Sequence, residues 1–317
     1  MAFRLIDRTA HDAPRERDAL AAALHARPAA IPPKYFYDAL GCALYAAICE
    51  LPEYYPTRAE AAIFAAHRVD IASAIGTGST FVDLGAGDGA KAERWLPFVV
   101  PARYVAVDFA AGALEDTLQR LATHFAGTEL VGVVADFTQG LPLDDALADG
   151  AATFFYPGSS IGNFAPDDAI EFLRRIEALC RGRAGSGLLI GVDTKKDKAR
   201  LDAAYDDPLG VTAAFNRNVL NHVNCVLGSD FDVEAFAHRG FYVPERARVE
   251  MHLEARSDQA VRIGGQTRVF ERGERIHTEN SYKYAPDEFE ALIACSGFST
   301  VRRWVGDGGD FAVFWAA

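Results

Sequence analysis

The chain is short of several things, and each shortage removes a class of function. It has five cysteines in 317 residues (Cys42, Cys49, Cys180, Cys225 and Cys295), scattered and with no C-x-x-C pair. An odd, unpatterned set points to a reduced, cytoplasmic protein and away from a disulfide framework. Its eight histidines form neither H-x-H nor HExxH, so no metal site is expected. No stretch approaches the roughly 18 uninterrupted apolar residues of a membrane span. The opening "MAFRLIDRTAHDAPRERDAL" mixes Arg with Asp and Glu and lacks the apolar centre of a signal peptide. Positive charge is scarce too: 32 Lys and Arg against 44 Asp and Glu leave a net charge of −12. That balance argues against nucleic acid or an anionic membrane as the main partner, though not against small anions held by local donors. There is no internal repeat or low-complexity tract.

Apolar sequence is plentiful. Half of the residues are hydrophobic, enough to bury one large core or two smaller ones. From Thr80 onward apolar strands alternate with amphipathic helices. "TFVDLGAG" leads to a helix from about Lys91, then come "YVAVDF", a helix near "AGALEDTLQRLATHF", and "ELVGVVADF". "ATFFYPGSSIGNF", the helix "PDDAIEFLRRIEALC" and "GLLIGVD" continue the series. This alternation predicts a parallel sheet covered on both faces. It stops after Asp193. Residues 196–230 read as helical, with Phe215, Val219, Val223, Val226 and Leu227 on one face. Two strand-like runs follow, "ARVEMHLEAR" and "TRVFERGERIHTENSYKY", the second containing the turn "ERGE". The helix "APDEFEALIACSG" and a Gly-Asp hairpin in "TVRRWVGDGGDFAVFWAA" close the chain. The reading is an α/β doubly wound sheet, residues 61–195 and 282–317. A smaller α+β cap is expected from residues 1–60 and the insertion 196–281.

Gly85, Gly87 and Ala90 satisfy the relaxed fingerprint G-x-G-x-x-G/A between a strand and a helix, which by itself leaves NAD open. Asp108 ends the next strand, where a carboxylate accepts hydrogen bonds from ribose hydroxyls. Two further acids, Asp83 and Asp136 in "VVADF", decide between cofactors. A pyrophosphate is disfavoured by acids crowding its loop, whereas a cationic sulfonium tolerates them. The adenine amine also needs an acceptor, which the end of the third strand can supply. The D-x-G-x-G, D, D-F series resembles the S-adenosylmethionine site of class I methyltransferases, whose sheet also ends in a hairpin.

A closer resemblance lies outside the loop. "KYFYDALGCALYAAICELPEYYPTRAE", "GSSIGNF", "AYDDPLGVTAAFNRNVL", "VEMHLEAR" and "HTENSYKY" are similar to the motifs of the L-histidine Nα-methyltransferases of ergothioneine biosynthesis, from about residue 30 to the C-terminus. The resemblance implies trimethylation of the histidine α-amine to hercynine, with S-adenosylmethionine as cosubstrate, no metal, and a monomer. It implies cofactor contacts at Tyr37, Gly85, Lys91, Asp108, Asp136 and Phe137. It implies a histidine pocket of Tyr54, Asn163, Tyr205, Thr212, Met251, Glu279 and Ser281. Asn163 and Tyr205 would hold the amino-acid end, Glu279 and Ser281 would face the imidazole near Tyr54, and Met251 would flank the ring. Tyr37 and Asn163 are the expected catalytic residues: no strong general base stands out in the sequence, and Tyr37 is read as a proton relay acting through water.

The residues agree with this independently. Strand alternation puts Glu279 and Ser281 on one face, and an imidazole suits an acid beside a hydroxyl. Asn163 follows a glycine in a loop at a strand's C-terminal end, where open α/β sheets take ligands. Tyr35, Phe36, Tyr37, Tyr45, Tyr54 and Tyr55 crowd one stretch. About half are expected to be packing, while the rest would surround a trimethylated cation whose N–H groups are gone. Tyr282 and Tyr284 stand where smaller or different residues are expected in some relatives, and would reshape the ring pocket. The rival readings are a methyltransferase for another amino acid or a tryptophan-derived amine, an idle S-adenosylmethionine sensor, and an NAD-dependent oxidoreductase.

Overall fold

The computed structural model describes residues 3–8, 13–138 and 140–317. In chain order the strands are β1 (Arg4–Asp7), β2 (Ala29–Ala30), β3 (Thr80–Leu84), β4 (Arg103–Asp108), β5 (Glu129–Val134), β6 (Ala152–Tyr156), β7 (Gly187–Asp193), β8 (Phe236–Val243), β9 (Arg248–Ala255), β10 (Gln259–Ile263), β11 (Gln266–Phe270), β12 (Arg275–Tyr282), β13 (Val301–Val305) and β14 (Phe311–Ala316). The helices are α1 (Ala13–His25), α2 (Ala39–Glu50), α3 (Pro56–Ile75), α4 (Ala90–Glu93), α5 (Leu96–Val99), α6 (Ala111–His124), α7 (Pro166–Cys180), α8 (Lys198–Tyr205), α9 (Val211–Leu227) and α10 (Pro286–Cys295).

Eight strands form one sheet in the order β1-β5-β4-β3-β6-β7-β14-β13. The first six run parallel, β14 runs antiparallel to β7, and β13 antiparallel to β14. Every residue of β3, β6, β7 and β14 is buried. Alternate side chains enter separate cores: Val82, Leu84, Val105 and Val107 face one side, Phe81, Tyr104 and Ala106 the other. Continuous apolar runs are what a sheet covered on both faces requires. The reversed hairpin at the end is the arrangement expected from the sequence. β1, in the stretch assigned to the cap, instead pairs with β5 at the sheet edge. Its four residues, "RLID", are too short and too exposed to carry an apolar pattern.

The cap has its own sheet, β2-β12-β9-β8, and its own core beneath α9, α1 and the segment around Phe36. A small hairpin, β10–β11, forms a separate sheet and buries Val261, Ile263 and Phe270 in the same core. The sequence reading missed β8. Its inward positions are Phe236, His238, Gly240 and Tyr242, and two non-hydrophobic residues among four hide the alternation. The helix expected from Lys91 is a single turn, α4, and Pro97 within "LPFV" restricts the next turn, α5. Among the described residues no helix is long and apolar enough to cross a membrane.

Candidate active site

A cavity opens between the carboxyl ends of the sheet and the cap. It is lined by Tyr37, Tyr54, Asn163, Tyr205, Thr212, Met251, Glu279 and Ser281, among others. All seven residues expected in the histidine pocket therefore meet there, together with Tyr37. They come from seven places in the chain. Tyr37 follows a turn at Pro33–Phe36, Tyr54 precedes α3, Asn163 ends a turn after β6, Tyr205 ends α8, Thr212 begins α9, and the rest lie on β9 and β12.

β12 supplies the polar floor. A bulge between His277 and Glu279 resets its register, placing Glu279 opposite Met251. Alternation from there sends Glu279, Ser281 and Lys283 the same way. Burial pushes the Glu279 carboxyl up to about 7, against the opposing pull of Lys283 and a hydrogen bond from Asn163. Near neutral pH it is thus poised between acceptor and donor.

Under this floor lies a largely buried charge network that the sequence reading did not find. Asp193, at the end of β7, accepts from Lys196 Nζ at 2.5 Å, Lys283 Nζ at 2.7 Å and the Tyr55 hydroxyl at 2.8 and 2.9 Å. The two ammonium groups hold the Asp193 carboxyl below the usual carboxylate range despite its burial. Lys283 also donates to Tyr205 Oη at 2.9 Å and Ser281 Oγ at 2.8 Å. Two signals were available. Asp193 occupies the same strand-end position as Asp108, and one further step of the 279, 281 alternation reaches 283.

Tyr205 is held from behind as well. His238 Nε2 lies 2.8 Å from the Tyr205 carbonyl, and Asn216 Nδ2 donates to His238 Nδ1 at 2.8 Å, so Nε2 carries the proton. Gly240 is needed at this contact, because a Cβ there would sit 2.3 Å from the Tyr205 carbonyl oxygen. The two residues that obscured β8, His238 and Gly240, are those that seat Tyr205.

The opposite wall is aromatic. Tyr37 and Tyr45 rings meet edge-on at 5.9 Å, Tyr45 and Tyr54 at 6.4 Å, and Tyr54 and Tyr205 at 6.2 Å. Of the six clustered aromatics, Tyr37, Tyr45 and Tyr54 line the cavity. Tyr35 and Phe36 are buried in the cap core, while Tyr55 serves Asp193. Burial raises the Tyr37, Tyr45 and Tyr54 phenols well above their ordinary value. Tyr37 therefore stays protonated, and it can relay a proton only as a neutral hydroxyl. Tyr282 and Tyr284 lie outside this wall, contrary to expectation: Tyr282 accepts from Arg248 at 2.6 Å and Tyr284 packs on Phe289 in the main core.

The residues expected at the cofactor adjoin the cavity along the ends of β3, β4 and β5. Gly85 has φ 72°, and a Cβ there would touch the Phe137 ring at 3.5 Å. Asp108 accepts the Gly87 N–H at 3.0 Å and the Ala110 N–H at 3.1 Å, one on each oxygen, which leaves a lone pair on each. Asp136 accepts from the Thr138 N–H at 3.1 Å and has Lys34 Nζ at 3.5 Å. Lys91 Nζ donates to the buried Glu60 at 2.7 Å, and the other Glu60 oxygen accepts the Gly158 N–H at 2.6 Å. Gly191 makes that possible, since a Cβ there would collide with Glu60 at 2.1 Å. Asp83 does not join this set. Its carboxyl is buried beneath the sheet, accepts from Tyr104 Oη at 2.9 Å and is pushed up to about 7 by burial. The charge argument against a pyrophosphate therefore rests on Asp108 and Asp136.

A glycine loop open to close approach, acceptors at the next two strand ends and a sheet closed by a reversed hairpin fit an adenosyl cosubstrate. They define a class I S-adenosylmethionine-dependent methyltransferase. Residues 16–317 match the family described as histidine-specific, SAM-dependent methyltransferases, and the chain belongs to that family. It is 40% identical over 300 residues to the histidine N-alpha-methyltransferase of Mycobacterium tuberculosis, covering 93% of this chain and 92% of that one. The enzyme of the same name from Mycolicibacterium smegmatis is 38% identical, covering 92% and 91%. Ergothioneine biosynthesis protein 1 of Neurospora crassa is 29% identical over 87% of this chain and 32% of that protein.

Proposed function

We propose that the enzyme trimethylates the α-amine of L-histidine to hercynine, the first step of ergothioneine biosynthesis. The observation that carries this reading is the joining of Glu279, Ser281, Asn163 and Tyr205 in one cavity beside the cofactor crevice. Glu279 and Ser281 take the two ring nitrogens, Met251 flanks the ring, and Asn163 and Tyr205 hold the amino-acid end with Thr212 nearby. S-adenosylmethionine supplies a methyl group on a sulfonium, open to displacement by an amine lone pair. Gly85, Asp108, Asp136 and Phe137 hold its nucleoside, and Lys91 answers its carboxylate.

The protein's own work is alignment and exclusion of water, which can supply very large effective molarities. Tyr37, Tyr45 and Tyr54 present neutral dipoles and ring faces to an amine that loses its N–H groups with each round. Ring faces contribute about 0.5–2 kcal/mol each to holding the fixed cation that results. The Tyr37 hydroxyl and Asn163 amide are the groups offered to the amine while its protons leave. A tryptophan-derived amine is the nearest rival, and the Glu279 carboxyl in the cavity lining speaks against it because an indole wants that side apolar. Incubation with labelled S-adenosylmethionine and a panel of amino acids, read by mass spectrometry, tests the proposal. A gain of three methyl groups on histidine alone is expected, and labelling of tryptophan in preference to histidine overturns it.

A further inference from the structure

We infer that Lys283 is a positioning residue that fixes the hydrogen-bond polarity of the pocket floor, so that Ser281 offers only a donor and the bound ring must present an acceptor to it. The inference rests on the histidine reading and adds which protonic form of the ring is selected.

It follows from counting hydrogens. An ammonium has three N–H bonds, and those of Lys283 go to Asp193 at 2.7 Å, Tyr205 Oη at 2.9 Å and Ser281 Oγ at 2.8 Å. Both hydroxyl oxygens therefore receive a hydrogen from below. They also bond to each other at 2.8 Å. Between them they own two hydrogens, and one is spent on that mutual bond. A phenol is more acidic than an aliphatic alcohol and is the better donor, so Tyr205 gives and Ser281 receives, and Tyr205 meets the amino-acid end with its one remaining lone pair, as an acceptor for the amine. Ser281 Oγ has then filled both lone pairs, and its own hydrogen is the one left over. Asp193 keeps Lys283 charged and saturated, so the arrangement has no alternative arising from ammonium rotation.

Beside this compelled donor, Glu279 is the group able to take a ring N–H. A donor and an acceptor side by side match a neutral imidazole, which has one nitrogen of each kind. An imidazolium, with two N–H groups, leaves one of them against the Ser281 hydrogen. A pyrrole, with one N–H and no acceptor, fails in the same place.

The test compares Michaelis constants for L-histidine and for β-(pyrrol-2-yl)- and β-(pyrrol-3-yl)-L-alanine, which between them keep each N–H position and lack the acceptor. In the native enzyme both pyrroles are expected to raise KM at least about tenfold over histidine, with the ratio largely erased in Ser281→Ala. Lys283→Met frees a lone pair on Ser281, and the pyrrole-to-histidine ratio is expected to fall below about threefold while the turnover number changes less. If that variant does not fold, the doubly neutral Asp193→Asn/Lys283→Met is used, and the native and Ser281→Ala arms decide in any case. A pyrrole that binds as well as histidine to the native enzyme overturns the inference, as does full discrimination in a folded Lys283 variant. Failure of the histidine reading itself looks different: S-adenosylmethionine binds, but neither histidine nor the pyrroles are methylated.

Discussion

The proposed methyl-donor crevice and the proposed ring pocket are built by opposite means. Along the crevice the work is done by backbone: Gly85 in a left-handed conformation, and N–H groups of Gly87 and Ala110 that orient Asp108. The determinants of that loop lie within 24 residues, from Gly85 to Asp108. In the ring pocket the work is done by side chains from residue 37 to residue 283, steadied by a buried network of two ammonium groups, a carboxylate and three hydroxyls. A backbone cradle accepts one ligand in many relatives of a fold. A side-chain floor can be re-dressed residue by residue, which is why the proposal places acceptor choice there.

This contrast can be broken by experiment, most severely at its centre. Asp193→Ala strands two buried ammonium groups and is expected to cost about 3–5 kcal/mol of stability, read as a fall in melting temperature. A variant that melts with the native enzyme would mean that the network holds nothing. Next in size, Glu279→Ala should raise KM for histidine roughly 10- to 150-fold, the worth of a hydrogen bond to a charged group. Cofactor affinity should barely move, and equal loss of both would assign Glu279 a structural role. The mirror experiment is Gly85→Val, which forces a β-branched residue into φ 72° against Phe137. Strain of about 1–3 kcal/mol predicts a roughly 5- to 150-fold loss of S-adenosylhomocysteine affinity by calorimetry, with KM for histidine at saturating cofactor held within about twofold.

The smallest effect concerns proton linkage. The Glu279 carboxyl sits at about 7 in the folded chain against an ordinary 4.5, so the native state holds its proton more tightly than the unfolded state. Its contribution to stability is whole below about pH 4.5 and is lost as pH rises through about 7. Glu279→Gln escapes that loss. It should melt close to the native enzyme at pH 4.5 and above it at pH 8, by about 1–2 kcal/mol after allowing for water in the cavity. A difference that shrank with rising pH would contradict the assignment.

How much of this was visible in the sequence follows the same division. Strand runs such as "YVAVD" and "GLLIGVD" are buried on both faces and announce themselves by composition. The Gly85 loop and the strand-end acids announce themselves by position. β8 did not, because His238 and Gly240 occupy inward positions to seat Tyr205. Asp83 was misread because spacing along a strand end does not tell which face of the sheet a carboxyl enters. Asp193, Lys196, Tyr55 and Lys283 were invisible as a group, since contacts of up to 141 residues' separation leave no local periodicity. The seven pocket residues came from resemblance, and only the Glu279–Ser281 pair was supported by a period of its own.

One strand has a mechanical consequence. β12 carries Glu279 and Ser281 in the cap, and the chain beyond it gives Lys283 to Asp193 before Tyr284 bridges Thr194 beside the central sheet. The floor of the cavity is thereby tied to both sheets at once, so a shift of the cap against the central sheet has to carry Glu279 and Ser281 with it or break the Lys283–Asp193 pair.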